Sequence, residues 1–537
     1  MKDKLLSTVN RVFLILVTLL AVLLLVSCDR ECEHEWGEWE TATAATCGSD
    51  GVKQRVCAVC EESESQQIPA TGDHTFGKWE TVTAATCGSD GVKQSVCVVC
   101  EKGGTQKIPA TGAHTFGNWE TITLPTPDTE GTKKRTCQCG ASESEQIPML
   151  VATEGLVYAL VNGGTAYEVY GIGAATDTDI ILPTTYEGKP VIGIGDDAFY
   201  GCDNLTSIRI SERITRIGNY AFGNCSGLTE ITIPNGVTAI GTSAFVRCDR
   251  LETVMFAQGI QLAKISPFAF FECSSLASIT IPNSVSTIGD SAFEDCSSLA
   301  SITIPAGVTK IEAYAFYNCR GLTAVHITDL TAWCNISFGS DYANPCYYAH
   351  DLYLNGDLIT DLVIPESVTV LGNCVFEDCS SLTSITIPAT VTSISSTAFS
   401  GCNALTSIVV ENANAVYHSE GNCLIETATN TLVFGCKNSV IPEYVTSIAT
   451  YAFDSCSSLT SIIIPANVTS IGDWAFKACH GLTSVIFENT SGWQCVSSSY
   501  FDEPSTTTNI SSSALENALT AAEYLTRTYR NCDWKRN

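Results

Sequence analysis

Basic residues are scarce in this chain of 537 residues, which has 28 lysines and arginines against 57 aspartates and glutamates and a formal charge of −29. A chain this acidic repels phosphate backbones, so the composition disfavours nucleic acid as a partner. Charged residues of both signs make up only 16% of the sequence, whereas 45% is hydrophobic, which is ample for a core. The acidity indicates solubility, with weak cation binding as the alternative interpretation.

Histidine is also scarce, with 7 residues in the chain, and recognisable catalytic motifs are lacking. Three of the histidines recur in an amino-terminal repeat, and the other four are scattered singly at His326, His350, His418 and His480. The sequence contains no P-loop, nucleophile elbow or zinc-protease helix. Two Gly-x-Gly sequences, at 171–173 and 193–195, lack the third glycine of a dinucleotide-binding loop. These features predict that the protein is not an enzyme.

A single long apolar run, Val12 to Val26, is shorter than the ~20 residues of a comfortable membrane span. It follows several basic residues and ends in Leu25-Val26-Ser27-Cys28, which resembles the bacterial lipobox. In that motif the signal peptidase cuts before the cysteine, whose thiol is then lipid-modified. We therefore expect residues 1–27 to be a lipoprotein signal peptide and Cys28 to anchor the protein to a bacterial membrane, on its extracytoplasmic side or at the cell surface. An ordinary signal sequence or an uncleaved anchor is the alternative.

A sequence repeat with a period of 23 residues dominates the chain after residue 150. Two examples are SLTSITIPATVTSISSTAFSGCNA from Ser381 and SLTSIIIPANVTSIGDWAFKACHG from Ser458. The common frame is L-x-x-I-x-I-P-x-x-V-x-x-I-x-x-x-A-F-x-x-C. Its phenylalanines are Phe199, Phe222, Phe245, Phe270, Phe293, Phe316, Phe376, Phe399, Phe453 and Phe476. Its cysteines are Cys202, Cys225, Cys248, Cys273, Cys296, Cys319, Cys379, Cys402, Cys456 and Cys479. A unit this short cannot bury its own apolar face, so the repeat predicts a solenoid.

Each part of the frame has a physical interpretation. In LTSITIP, alternation turns Leu382, Ile385 and Ile387 inward, as in a half-buried strand. The following proline ends the strand because it cannot donate to a continuing ladder, and VTSI forms a second short extended segment. The A-F-x-x-C segment is long enough for one helical or 3₁₀ turn, with Phe and Cys in the core. The cysteines therefore form an inert buried ladder, with oxidative pairing between neighbouring coils as the alternative.

This frame resembles the BspA-like, treponemal-type leucine-rich repeat of bacterial surface proteins, over roughly residues 150 to 490. The resemblance implies a mainly β leucine-rich-repeat solenoid with short helical or 3₁₀ turns. It also implies a lipid-anchored cell-surface protein whose solenoid binds macromolecules, in adhesion to host proteins or to the surface proteins of other bacteria. An envelope glycan-binding accessory and a self-associating structural coat protein are the alternative functions. The expected partner is a protein or glycan surface ligand, together with the membrane through the lipid anchor.

A second repeat, with a period of 40 residues, places three small Cys-rich β modules ahead of the solenoid. Its markers are His34, His74 and His114, and Trp39, Trp79 and Trp119. Each of the first two modules contains a cysteine, a Cys-x-x-Cys knuckle ten positions later, and a following histidine. These residues predict one set of Cys47, Cys57, Cys60 and His74 and a second set of Cys87, Cys97, Cys100 and His114. Three thiolates and one imidazole suit a tetrahedral structural zinc site.

Zinc is the only cofactor to which the sequence points, and two alternatives stay open for these cysteines. They are disulfides, which an exported compartment permits, and unpaired packing thiols. Three cysteines per module cannot pair internally without one left over, which favours zinc. The third module departs from the pattern, because Pro127 replaces the first cysteine, the knuckle is Cys137-Gln138-Cys139, and no histidine follows. This departure counts against an indispensable metal in all three modules.

These patterns divide the chain into a signal peptide (1–27), the lipidated cysteine with three modules (28–148), an amino-terminal cap with the first coil (149–200), the solenoid with two insertions (201–490) and a carboxyl-terminal cap with a helix (491–537). Hairpins are predicted in both insertions, at 352–364 around Asn355-Gly356 and at 423–434, and in the amino-terminal cap at 156–169. A helix is predicted over 514–529 from the spacing of Leu515, Leu519, Ala522 and Leu525.

The outward side chains of the solenoid strands are the predicted binding face. In the middle of the solenoid these residues are small and carry hydroxyl groups: Ser278, Thr280, Ser301 and Thr303. A partner on such a face would be held by extended area and many weak contacts, so binding should tolerate salt. The alternative interpretation is that Ser and Thr merely suit solvent-facing strands.

Overall fold

The computed structural model describes residues 34–127, 129–497 and 506–536. The predicted signal peptide and Cys28 lie outside the described residues. The chain forms two compact units, one of the described residues up to Thr123 with Thr132–Gln146, the other of Leu124–Gly131 with the described residues from Ile147 onward. In the described part of the chain, no helix combines the length and the apolar character needed to cross a bilayer.

The first unit contains three copies of a three-stranded antiparallel sheet. The strands are Glu40–Thr43, Gly51–Val56 and Ser63–Ile68; Glu80–Thr83, Gly91–Val96 and Gly103–Ile108; and Glu120–Thr123, Gly131–Thr136 and Ser142–Ile147. Most strand residues are exposed, and the tryptophans are covered by cations, as where Lys53 and Arg55 lie 4.9 and 4.7 Å from the Trp39 ring. Modules with so little apolar core need another stabilising link.

The second unit contains a β-solenoid of about 14 turns with little helix, as the sequence predicted. Its first ladder is built from the L-x-x-I-x-I segments, which pair in parallel with their neighbours in the next coil. These strands are Asp179–Ile181, Ser207–Arg209, Glu230–Ile233, Thr253–Phe256, Ser278–Thr280, Ser301–Ile304, Ala324–Ile327, Leu352–Leu354, Asp361–Val363, Ser384–Ile387, Ser407–Val410, Ser461–Ile464 and Ser484–Phe487. Six of them, from Glu230–Ile233 to Leu352–Leu354, form one sheet together with the short strand Asp357–Leu358.

The second ladder is built from the V-x-x-I segments and is also parallel. Its strands are Lys189–Ile194, Arg216–Ile217, Ala239–Ile240, Lys264–Ile265, Thr287–Ile288, Lys310–Ile311, Ser337–Phe338, Val370–Leu371, Ser393–Ile394, Ser447–Ile448 and Ser470–Ile471. The inward isoleucines of both ladders are buried, as Ile302 and Ile311 show at 1% and 0% exposure. The two ladders thus face each other across an apolar core, whose buried residues form two clusters along the solenoid.

The A-F-x-x-C segments form a third side of each coil, here called the turn wall. The phenylalanine rings stack on those of adjacent coils, with ring centroids 5.2 to 5.4 Å apart and interplanar angles of 3 to 10° from Phe199 to Phe316. Most of the Phe N–H groups donate to an Ala carbonyl of the next coil, as Phe270 does to Ala292 at 2.9 Å, and Phe316 donates to the Tyr342 carbonyl. Offset stacking at this distance is favourable for aromatic rings, so the turn wall fastens each coil to its neighbours.

The ladder cysteines add a bond of their own to the turn wall. The Cys273 thiol donates to the carbonyl of Phe245 in the preceding coil at 3.1 Å, and the thiols of Cys248 and Cys296 do the same for Phe222 and Phe270. Burial raises the pKa of the Cys273 thiol to about 12, so the thiol stays protonated. All the cysteines in this frame are free thiols, and all but the half-buried Cys202 are buried, which agrees with an inert ladder.

The turn wall is a run of tight turns and not a helix. Bonds such as that from the Cys225 N–H to the Phe222 carbonyl span three residues, as in the predicted 3₁₀ turn. At every phenylalanine of the frame except Phe399, the residues two before and two after have positive φ, for example Tyr220 and Asn224 at 52° and 56°. Left-handed residues on both sides stop helical propagation, and the chain bends sharply around each Phe.

The first insertion supplies short helices and a hairpin. Its elements are the α-helices Leu330–Cys334 and Cys346–Ala349, the 3₁₀ helix Asp341–Ala343 and the hairpin Leu352–Leu354 with Asp357–Leu358. The hairpin around Asn355-Gly356 is confirmed, but it ends sooner than predicted, because Asp361–Val363 pairs in parallel with Ser384–Ile387 and begins the next coil. Trp333 fills the core and donates to the Val375 carbonyl at 2.9 Å.

The second insertion and the amino-terminal cap are hairpins, as predicted. Tyr417–Glu420, Cys423–Glu426 and Thr431–Gly435 form an antiparallel meander, and the third of these strands continues in parallel into Ser447–Ile448. At the amino-terminal end, Val157–Val161 pairs with Ala166–Gly171 around the 3₁₀ helix Asn162–Gly164, and Thr185–Tyr186 pairs with the strand that begins the second ladder.

The carboxyl-terminal cap covers the last coil by adding antiparallel strands. Cys532–Arg536 pairs with Ser470–Ile471 and with Trp493–Ser497, which in turn pairs with Thr507–Asn509. A disulfide joins Cys495 to Cys532 across two of these strands. The predicted single helix is in fact the α-helices Ser512–Leu515 and Ala518–Glu523 followed by a π-helix, Tyr524–Thr528. The break has a local cause, since the Asn517 side chain accepts from the Thr520 N–H and caps a new helix.

The turn wall predicts unequal effects for two adjacent phenylalanines. Phe270 is fully buried and stacked on both sides, whereas Phe271 is half-buried. We expect Phe270→Ala to lower the free energy of unfolding by about 3–5 kcal/mol and Phe271→Ala by only about 1 kcal/mol. Denaturant titration followed by hydrogen exchange of the neighbouring coils measures both. Equal losses for the two variants would contradict the stacked column as the main support of the coils.

Candidate functional site

The predicted binding face lies in the middle of the first ladder. Ser278 and Thr280 pair directly with Ser301 and Thr303 on adjacent parallel strands. The first pair is exposed and the second pair half-buried, while Ile279 between them points into the core. The four hydroxyl side chains therefore form a small polar patch on a rigid sheet, as the alternation in the sequence predicted.

A shallow groove of about 870 Å³ runs along the edge of this patch. The phenylalanines of this coil and the one before, Phe245 and Phe270, are 25 residues apart instead of 23, and the extra chain forms the loop 257–261 beside the strand. Met255, which is 46% exposed, lies in the groove together with Ser278 and Thr280. The patch thus has an exposed apolar side chain, Met255, and the loop 257–261 along one edge.

The structure regroups the predicted metal ligands across module boundaries. Two complete clusters each contain three cysteines and one histidine, with ligand atoms within 4.8 Å of one another. The proximal cluster is Cys47, His74, Cys97 and Cys100, and the distal cluster is Cys87, His114, Cys137 and Cys139. A partial cluster, also in the described part of the first unit, holds His34, Cys57 and Cys60.

The prediction that each knuckle shares a metal site with the first cysteine of its own module is therefore wrong. Cys47 and Cys57 lie at opposite ends of the strand Gly51–Val56, and a strand of this length keeps its ends about 20 Å apart. Cys47 instead approaches the next module, where its Sγ lies 3.4 Å from the Sγ of Cys97. In the distal cluster the Sγ atoms of Cys87 and Cys137 lie 3.3 Å apart.

Each knuckle takes the histidine that precedes it and not the one that follows. His74 Nδ1 lies 3.3 Å from the Cys100 Sγ, and His114 Nδ1 lies 3.2 Å from the Cys139 Sγ. The third module therefore contributes its histidine and both knuckle cysteines to a complete cluster, although its sequence departs from the pattern of the first two modules. Its Cys-x-Cys knuckle brings both thiols into the distal cluster.

The knuckle backbone favours the thiolate form of one cysteine in each complete cluster. The N–H groups of Val99 and Cys100 point at the Cys97 thiol and lower its pKa to about 6. The pKa of Cys47 is raised to about 12, chiefly because its thiol hydrogen-bonds to Cys97, with burial adding to the effect. The Cys47 and Cys97 sulfurs are close enough to share one proton. A metal ion can take the place of that proton, because metal ions bind thiolates.

A group of carboxylates on the turn wall was not expected from the sequence. Glu377 is 7% exposed, and its Oε2 has no hydrogen-bond partner among the described residues. Burial raises the pKa of Glu377 to about 8. Asp454 is also buried, but it accepts from Ser400 at 2.7 Å and lies 3.9 Å from the Lys477 ammonium. No local pattern marks these residues, because their burial depends on how coils far apart in sequence stack.

Tyr417 and His418, in the second insertion, are packing residues. Tyr417 is 7% exposed, and its hydroxyl accepts from the Ile394 N–H. The two ring nitrogens of His418 contact the hydroxyls of Thr427 and Tyr444 at 2.9 Å each. Both side chains thus tie the insertion to its surroundings and leave no open base.

A second groove, of about 660 Å³, lies between the last coil and the carboxyl-terminal helices. It contains Trp474, over whose ring the cationic groups of Arg530 and Lys477 lie at 5.2 and 5.9 Å. His480 and Arg527 also line it and are exposed. A concentration of cations around an aromatic ring stands out in a chain with a formal charge of −29. The carboxyl-terminal helices form one side of this groove. The 23-residue repeat alone therefore could not predict it.

Comparison with known proteins points to one family. The BspA type leucine-rich-repeat region matches residues 192–329, 350–425 and 425–523, in six copies that cover more than half of the chain. A leucine-rich repeat protein of T. pallidum is 29% identical over 37% of this chain and 89% of its own, with a TM-score of 0.33. A leucine-rich cell surface protein of Faecalibacterium prausnitzii is 26% identical over 64% of this chain and 95% of its own, with a TM-score of 0.36. No curated protein matches the chain.

Proposed function

The chain belongs to the BspA-type leucine-rich-repeat family, and on that premise we propose that it is a lipid-anchored adhesion protein of the bacterial cell surface. Proteins of this family are bacterial cell-surface proteins, and the repeat indicates a protein-interaction role. Such repeat proteins are typically non-enzymatic binding proteins. The finer proposal is that the solenoid holds a host protein or a surface protein of another bacterium.

The observation that carries this proposal is the open face of the first ladder. A six-coil run of parallel strands presents side chains on a rigid sheet, with the hydroxyl patch and the groove beside Met255 near its middle. A rigid face loses little conformational entropy on binding. Hydroxyl and amide side chains around an exposed apolar residue supply hydrogen bonds around a small apolar anchor, the composition of a protein-binding surface.

Lipid anchoring is proposed from the sequence, since Cys28 lies outside the described residues. The Leu25-Val26-Ser27-Cys28 end of the apolar run supports it. Multiple acyl chains on one cysteine give a stable anchor, where one chain gives only marginal binding. The anchor would hold the solenoid at the outer side of a membrane, where a binding surface meets its partner.

Recognition of an acidic glycan is a second candidate function, favoured by the groove around Trp474. Arg527 and Arg530 enter no ion pair with the described residues, so both remain available to a carboxylate or sulfate group. Sugar rings commonly lie on tryptophan, and guanidinium groups form bidentate bonds with carboxylates. The two candidates use surfaces with different chemistry, so experiments can separate them.

The hydroxyl patch predicts where a protein partner binds. We expect substitution of Ser278, Thr280, Ser301 and Thr303 by lysine to weaken binding of a partner captured from host or bacterial surface extracts by at least about a hundredfold. Each buried, uncompensated ammonium group costs more than about 1 kcal/mol. Surface plasmon resonance measures the change, and circular dichroism checks the fold.

The matched control changes four serines of the same two coils, Ser274, Ser275, Ser297 and Ser298, to lysine. These residues lie in the turns that precede the strands, and the control adds the same charge. It should retain most of the affinity. Unchanged affinity in the strand variant would place the binding site elsewhere on the molecule.

The glycan candidate predicts charge-dependent binding at the second groove. We expect Arg527→Ala with Arg530→Ala to abolish binding to carboxylated or sulfated glycans on an array, and added salt to weaken binding by the unaltered protein. Arg213→Ala, at an exposed arginine elsewhere in the solenoid, should have no effect. Binding to neutral glycans, or acidic-glycan binding that survives in the double variant, would contradict this function.

Anchoring predicts the fate of one variant in the cell. We expect Cys28→Ala to release the protein from the membrane fraction or to leave the precursor uncleaved, because the acceptor thiol is gone. Cys32→Ala, at the nearest cysteine outside the motif, should stay anchored. Fractionation and mass spectrometry of the mature amino terminus provide the measurement. An unmodified terminus at another residue of the native protein would rule out this anchor.

A further inference from the structure

We propose that Zn²⁺ binds between consecutive Cys-rich modules, one ion in the proximal cluster and one in the distal cluster, and that the metal is the link that holds each module to the next. This site is distinct from the binding surfaces of the solenoid unit. It differs from a zinc finger closed within one module, because each ion takes a ligand from the neighbouring module.

The ligand geometry is close to that of a tetrahedral metal site. Sulfur atoms about 2.3 Å from a zinc ion lie roughly 3.7 Å from one another. In the proximal cluster the Cys47 and Cys97 sulfurs are 3.4 Å apart, and the His74 nitrogen is 3.3 Å from the Cys100 sulfur. Expansion by a few tenths of an ångström would admit the ion. The distal cluster repeats these distances at 3.3 and 3.2 Å.

The turn that carries the donated cysteine is shaped to receive the next knuckle. A Cβ on Gly48 would lie 3.1 Å from the Cys100 Cβ, and a Cβ on Gly88 would lie 3.4 Å from the Cys139 Cβ. Glycine at this position therefore lets one module's backbone approach the neighbouring knuckle closely. This close approach is independent of the identity of the four ligands and recurs at both junctions.

The end of the array explains the ligands that the third module lacks. Cys47 serves the second module and Cys87 serves the third, but no fourth module exists to use a cysteine at position 127, which is proline. The histidine that would follow the third knuckle is missing for the same reason. Ligands are therefore present at both junctions that have a receiving module, as expected if the clusters have a function in joining modules.

The donor set selects zinc among common cations. Three thiolates and one imidazole suit Zn²⁺, whereas Ca²⁺ and Mg²⁺ prefer oxygen ligands. Each cluster offers four protein ligands, which complete a tetrahedral set as in a structural site; Cys47 and Cys97 are buried, whereas His114 and Cys139 are exposed. A metal also supplies the stabilising link that modules with such a small apolar core need.

Two matched double variants of the full-length chain test the intermodular grouping by their zinc content. Cys47→Ser with Cys100→Ser alters one cluster under this proposal and should remove one zinc ion per chain. Cys87→Ser with Cys100→Ser alters both clusters and should remove two. If the ligands were instead grouped within single modules, the first variant would lose two zinc ions per chain and the second would lose one. Zinc is measured by inductively coupled plasma mass spectrometry after purification under reducing conditions and dialysis against a chelator that strips incomplete sites.

Two controls complete the experiment. Cys202→Ser, at a half-buried cysteine of the solenoid, should leave the zinc content unchanged. Replacement of zinc by Co²⁺ should give the intense visible bands of tetrahedral cobalt thiolate sites, and these bands should fall in parallel with the zinc lost in each double variant. Reversed values for the two variants overturn the proposal. So does a native protein that lacks metal, whether its cysteines are free thiols or form a mapped Cys47–Cys97 disulfide.

Discussion

The solenoid depends on the contact that each turn of the turn wall makes with the turn of the preceding coil. Cys273 shows the contact, because its thiol donates to the Phe245 carbonyl while the Phe270 ring, three residues earlier, stacks on the Phe245 ring. A buried carbonyl left without a donor is costly, so in the coils that make this bond the cysteine must keep its position relative to the phenylalanine of the preceding coil. This requirement fixes the spacing of the repeat at the turn wall. The coils differ in length at other positions. For example, the coil that ends at Phe270 has two extra residues, which lie in the loop 257–261.

The alternation of apolar residues was enough to predict both ladders, because strand side chains alternate strictly and the core accepts only one face. The hairpins at Asn355-Gly356 and at Cys423–Glu426 followed from equally local signals. The left-handed residues of the turn wall had no such signal, since Asp197, Tyr220 and Trp474 occupy equivalent positions with chemically unrelated side chains. Their conformation is imposed by the stacking of coils. The burial of Glu377 has the same origin.

Six of the eight residues in the two complete Cys/His clusters were predictable from the sequence, but Cys137 and Cys139 were not, and the predicted grouping was wrong. A repeat of 40 residues places Cys47 equally well with a knuckle 10 or 50 positions onward, and proximity along the chain favoured the nearer one. The structure favours the farther one, because the strand Gly51–Val56 carries the nearer knuckle away. The proline that replaces the first cysteine of the third module, at position 127, indicates the same grouping. A residue that is absent only from the last copy of a repeat marks a contact that points forward along the chain.

This forward contact has a consequence for how the length of such an array can change during evolution. The first two modules each provide one outgoing cysteine, and the last two each receive one with a histidine and a knuckle, so the junctions at Cys47 and Cys87 are equivalent. Duplication of a whole unit by unequal recombination would add one junction and leave the existing ones intact. Loss of a unit would remove one junction in the same way. The length of chain ahead of the solenoid could therefore be reset in steps of 40 residues without any new compensating substitution.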